Sequence, residues 1–102
     1  MSDKYGSRIQ DERIDRFFKG ILSLESMDEC YRFFEDICTI NEIKSIAQRL
    51  EIADLLMKDR TYSEIEEETG VSTATISRIK RALNYGAGGY GIVLERLNAI
   101  ED

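Results

Sequence analysis

The sequence contains no histidine, no proline and no tryptophan. Without histidine there is no Ser-His-Asp or Cys-His catalytic arrangement and no His-ligated metal. Without proline nothing breaks a helix by a missing N–H and a ring clash, and Leu, Ile, Glu, Lys and Arg are abundant. Long apolar runs are lacking too. Stretches such as Ile92-Val93-Leu94 fall far short of the roughly 20 residues that a membrane-spanning helix needs. The polar start, Met1-Ser-Asp-Lys-Tyr5, leads into no apolar segment of the secretory type, so a cytoplasmic protein is expected. Cysteine is scarce: Cys30 and Cys38 stand eight residues apart. In one helix that is roughly 12 Å, too far for a disulfide. Two thiols without histidine do not complete a zinc site, and they read as small apolar residues in a reducing compartment. No metal and no cofactor is implied.

What is present suits one small domain over residues 1–102, with 42% hydrophobic and 33% charged residues, too apolar for a disordered tail. The formal net charge of −6 argues against a generic nucleic-acid coat protein. Its distribution is uneven. Residues 61–72 hold Glu64, Glu66, Glu67 and Glu68 and no basic group, whereas residues 73–84 hold Arg78, Lys80 and Arg81 and no acid.

The capping-box spacing, Ser or Thr followed three residues on by Glu or Gln, occurs at Ser7/Gln10, Ser26/Glu29, Thr39/Glu42 and Thr61/Glu64. Apolar residues at helical spacing follow each. They predict helices over about 9–22 (Ile14, Phe17, Phe18 and Ile21 on one face), 27–38 (Cys30, Phe33, Phe34, Ile37, Cys38) and 40–58. The third is apolar around much of its girth, from Ile43 and Ile46 to Leu55 and Met57, and so asks for packing on more than one side. A second subunit or a central place in a monomer would supply it. A fourth short helix follows Thr61 and ends at Gly70, and a fifth, capped by Ser72 or Thr73, runs to about Asn84. Gly86, Gly88, Gly89 and Gly91 read as a hinge before a last helix over about 92–100. As a phosphate loop the cluster fails, for no strand precedes it and no Lys-Ser/Thr follows. No stretch alternates as a strand would, so the fold class is all-α with about six helices.

Residues 61–84 have the form of a helix-turn-helix: two short helices, a tight turn with Gly70, and apolar Ile65, Val71, Ile76 and Ile79 to pack one across the other. In the fifth helix Ile76, Ile79 and Leu83 share the inner face. The outer face presents Ala74, Ser77, Arg78 and Arg81, with Thr73 and Lys80 at its margins and Ser72 and Thr75 in the first turn. Small residues let the helix approach DNA, Thr, Ala and Ser meet base edges or thymine methyls, and Arg bonds bidentately to guanine. The candidate DNA-binding residues are therefore Ser72, Thr73, Ala74, Thr75, Ser77, Arg78, Lys80 and Arg81. No catalytic residues emerge, and the Glu67/Glu68 pair reads as a solvated face. The acidic run predicts weak non-specific DNA binding, because the first helix of such a motif lies near phosphate.

The strings Glu29-Cys-Tyr-Arg-Phe-Phe34, Cys38-Thr-Ile-Asn-Glu-Ile43, Ala47-Gln-Arg-Leu-Glu51, Thr69-Gly70, Ser72-Thr-Ala-Thr-Ile-Ser-Arg78 and Leu83-Asn-Tyr-Gly86 resemble the tryptophan-repressor-like superfamily, specifically its YerC/YecD-type family. The resemblance covers about residues 10–98. It implies an intertwined all-helical homodimer with two helix-turn-helix heads, acting on double-stranded operator DNA as a transcriptional regulator. In the tryptophan repressor the corepressor lies between two arginines, with a glycine making room for the indole. Arg78 matches one arginine, the place of the other falls on Gln48, and the glycine's place falls on Ile79. Tryptophan is therefore not expected as corepressor. Glu66 departs further, standing where the repressor has a basic phosphate contact. The leading expectation is a homodimeric, sequence-specific regulator without a membrane role. The alternative is a dimeric protein-interaction adaptor with little DNA affinity, which the acidic fourth helix favours.

Overall fold

A computed structural model describes residues 5–101. Its order is α1 (Glu12–Leu22), α2 (Met27–Ile37), α3 (Ile40–Met57), α4 (Tyr62–Thr69), α5 (Thr73–Tyr85) and α6 (Gly89–Glu101). The described residues contain no strand, so the all-α expectation holds. No helix among them is long and apolar enough to cross a membrane. The chain divides into two compact units, residues 1–40 and 41–102.

In the first unit α1 begins three residues later than its sequence pattern suggested. Its N-cap is Asp11, whose carboxylate accepts from the Ile14 N–H at 2.9 Å. The Ser7 hydroxyl accepts instead from Ile9, two residues on, so the expected Ser7/Gln10 box does not form. An Asp cap with Glu12 and Asp15 in the first turn also suits the positive end of the helix dipole. In α2 half of the expected box is present. Ser26 accepts from Glu29 N–H, but the Glu29 carboxylate accepts from Glu25 N–H at 2.8 Å rather than from Ser26. The aromatic stripes meet where Phe17 and Phe33 stand 6.1 Å apart, and Phe33 is edge-on to Phe34 at 5.3 Å. Neither helix buries a residue fully.

The core of the second unit is Ile52, Ala53 and Leu55 of α3, Ile65 of α4, Ile76 and Ile79 of α5, and Leu94 of α6. Only the second half of α3 contributes to it; Ile40 and Ile46 remain exposed. α3 ends in a Schellman motif. Asp59 takes the left-handed conformation (φ 61°), Asp59 N–H reaches Leu56 O, and Arg60 N–H reaches Leu55 O at 3.1 Å. At the other end of the unit, α6 starts at Gly89, so Gly89 and Gly91 belong to a helix rather than to the expected hinge. The first-turn N–H groups have no intrahelical partner in any sequence, and Leu94 and Leu97 anchor the helix on the core. Gly86 is required for a different reason: a Cβ there would strike the Ala82 carbonyl oxygen.

Candidate nucleic-acid interface

α4 opens with a complete capping box. Thr61 N–H donates to the Glu64 carboxylate at 2.8 Å, and Glu64 N–H donates to the Thr61 hydroxyl at 3.1 Å. The charge-assisted bond from Thr61 N–H, then the Arg60 guanidinium, holds the Glu64 carboxyl below the usual glutamate range. The helix stops at Gly70, whose N–H donates to Glu66 O at 2.8 Å and whose φ of 75° turns the following chain out of the helix. Thr69, which the sequence offered only as part of the Thr69-Gly70 string and without a role, braces this turn. Its hydroxyl donates to Ile65 O at 2.7 Å and accepts from Val71 N–H at 3.2 Å.

Ser72, not Thr73, caps α5. Its hydroxyl accepts from Thr75 N–H at 3.3 Å and donates to the Thr75 hydroxyl at 3.2 Å. Ile76 and Ile79 are buried and Leu83 is half-buried, as the helical projection requires. That orientation leaves Ser72, Thr73, Ala74, Ser77, Arg78, Lys80 and Arg81 exposed. Thr75 is half-buried, its hydroxyl engaged with Ser72. Among the described residues neither Arg78 nor Arg81 meets a carboxylate. Lys80 is oriented: its ammonium lies 5.7 Å from the centroid of the Tyr62 ring on α4.

The acidic run is not uniformly acidic in three dimensions. Arg60, in the turn before α4, places Nη2 2.7 Å from Glu68 and Nε 3.4 Å from Glu64. The Glu68 hydrogen bond and charge, with help from Glu64, raise the Arg60 pKa further above its ordinary value. Glu66 and Glu67 have no such partner among the described residues.

An open cavity of about 420 Å³ lies between α3 and α5, lined by Ser45, Gln48, Arg49, Ile52, Thr75, Arg78, Ile79, Ala82 and Tyr90. It changes one element of the ligand argument. Gln48 does stand there, but Arg49 beside it also lines the cavity, so a second guanidinium accompanies Arg78. Ile79 is the feature that still separates the site from one shaped for an indole. It is only 5% exposed, and its branched side chain forms part of the core beside the cavity.

Comparison with known proteins agrees with this architecture. The family model for the Trp repressor protein matches residues 12–98. The protein YerC of Bacillus subtilis (strain 168), itself uncharacterized, is 54% identical over 94 residues, which is 92% of this chain and 90% of YerC. A crystal structure of a TrpR-like protein from Eubacterium eligens superposes with a TM-score of 0.84 at 54% identity, covering 88% of this chain and 93% of that one. A putative Trp repressor from Staphylococcus aureus gives 0.83 at 48% identity, covering 88% and 90%.

Proposed function

The chain belongs to the Trp repressor protein family, in its YerC-type branch, and on that premise we propose that it is a homodimeric transcriptional regulator that binds specific double-stranded DNA through α4 and α5 without tryptophan. The observation that carries this reading is the outer face of α5. A helix fixed from beneath by Ile76 and Ile79 presents small residues at its N-terminal end and two arginines free of carboxylates behind them. Such a face suits the major groove. Ser77, Ala74 and Thr73 lie against base edges, Arg78 and Arg81 contact bases or phosphates, and Lys80 contacts phosphate. Ser72 and Thr75 shape the first turn of the helix, since their hydroxyls satisfy one another.

Residues 1–102 act as one functional domain completed by a second copy. Two features support the dimer: α1 and α2 bury no residue fully, and Ile46 in the first half of α3 is 53% exposed. Ile79 supports independence from tryptophan. Two substitutions test the division of labour on α5. Arg78→Ala should cost about 1–3 kcal/mol at the cognate site and little on unrelated DNA. Lys80→Ala should weaken binding to all sequences alike and lower the salt slope by about one. Equal losses from both variants on every sequence would contradict the assignment. Calorimetric titration with tryptophan should show no micromolar binding. The adaptor reading draws on Glu66 and Glu67, whose charges are uncompensated and repel phosphate; it prevails if no duplex binds.

A further inference from the structure

We propose that Arg60 is a positioning residue for DNA binding, acting as an internal counter-ion that makes α4 compatible with a phosphate backbone. This inference rests on the DNA-binding reading above. The sequence of α4 places four glutamates within five positions of a helix that, in a motif of this kind, crosses the DNA backbone. Carboxylates there oppose phosphate at a range where salt screens only in part. The structure supplies one compensating charge from outside the helix. Arg60 bridges Glu64 at 3.4 Å and Glu68 at 2.7 Å, and no other cation meets these two among the described residues.

The bridge is built into the chain turn. The left-handed Asp59 ends α3, and the Arg60 N–H is tied back to Leu55 O at 3.1 Å. Arg60 therefore enters α4 from a fixed backbone point immediately before the Thr61 cap. Its guanidinium offers donor edges to two carboxylates one helical turn apart, and it is the positive charge held there, not the fork geometry, that offsets the carboxylates. Glu64 is already held by Thr61 N–H, so one carboxylate anchors the cap while both accept the same guanidinium. An exposed bridge of this kind adds little to stability. Its consequence is local charge: one positive charge, shared between Glu64 and Glu68, offsets one of the four carboxylate charges, and Glu66 and Glu67 stay without a partner among the described residues.

The test compares the full-length protein with Arg60→Gln, Arg60→Lys, Arg60→Gln/Glu68→Gln and Arg96→Gln. The probes are a duplex recovered by selection and a mixed-sequence duplex of about 24 base pairs. Arg60→Gln should bind both roughly tenfold more weakly at low salt, the gap closing as salt rises. Adding Glu68→Gln should restore most of the loss. Arg60→Lys, which keeps the charge, should retain most of the affinity. Arg96→Gln removes the same charge from α6 and should change binding by less than about twofold. Thermal melting of each variant separates folding from binding. Arg60→Gln binding no worse than Arg96→Gln, or Arg60→Lys losing as much as Arg60→Gln, overturns the inference alone. Failure of the unmodified protein to bind either duplex overturns the regulator reading itself.

Discussion

Asp59 and Thr69 show how much of this molecule turns on single residues whose roles no motif announces. Asp59 occupies the left-handed position of a Schellman motif, where glycine is the usual choice. A side chain there costs on the order of 1 kcal/mol, although Asp tolerates it better than most. Asp59→Gly should therefore raise stability by roughly 0.5–1 kcal/mol in chemical denaturation. A destabilised variant would mean that the Asp59 side chain contributes something that outweighs its backbone strain. Thr69 joins the end of α4 to the start of the turn through two hydrogen bonds from one hydroxyl. Thr69→Val keeps the shape but loses both, and should cost about 1 kcal/mol. The roles of both residues were hidden in the sequence for one reason. They depend on where the backbone turns in space, which neither composition nor period reports. Ile79, by contrast, was legible, because helical projection alone sent it inward.

At the scale of elements, what could be read was what local chemistry decides. The Thr61/Glu64 box, the Gly70 stop and the inner face of α5 follow from groups within one helical turn of each other. The two errors at helix starts have equally local causes. At α1, Asp11 outcompeted Ser7 because a carboxylate is the stronger acceptor for a helix N-terminus. At α6, the glycine cluster suggests a break, although the packing of Leu94 and Leu97 carries the helix through Gly89 and Gly91. The Arg60 bridge lay beyond such reasoning, since it joins residues eight apart across a turn.

α4 itself yields two predictions. Thr61→Ala removes half of the box and should cost about 1 kcal/mol. The second concerns pH. The folded-state pKa of Glu64 lies below its unfolded value. Its contribution is therefore present above the unfolded value of about 4.3 and is lost as pH falls through the lower folded value. Melting curves between about pH 6 and 3 should decline more steeply for the unmodified protein than for Glu64→Gln, which keeps the acceptor but cannot titrate. Parallel declines would show that Glu64 is not a source of the acid sensitivity.

For the whole molecule, the question is what covers the apolar residues that one chain leaves in water. Ile40 and Ile46 of α3, Phe18 of α1 and Ile92 and Val93 of α6 are all exposed. The sequence already pointed to this at α3, whose apolar girth exceeded the needs of a one-sided helix. On the proposed homodimer a second copy covers these residues, and Ile46→Glu should then shift sedimentation toward the monomer while helical circular dichroism is retained. A variant still dimeric at micromolar concentration would place the interface away from that face. The sequence could not reveal how the chain divides into two compact units, because that depends on contacts between distant segments.

Dimer, recognition helix and ligand independence converge on one measurement: selection of bound sequences from a random duplex pool, at near-physiological salt and with no ligand added. A pseudo-palindrome with half-sites about one helical turn apart is the expected result. It would require two copies, a reading face on α5 and no corepressor, all at once. A pool that emerges unenriched under those conditions would contradict the regulator reading and leave α4 and α5 as a surface for protein.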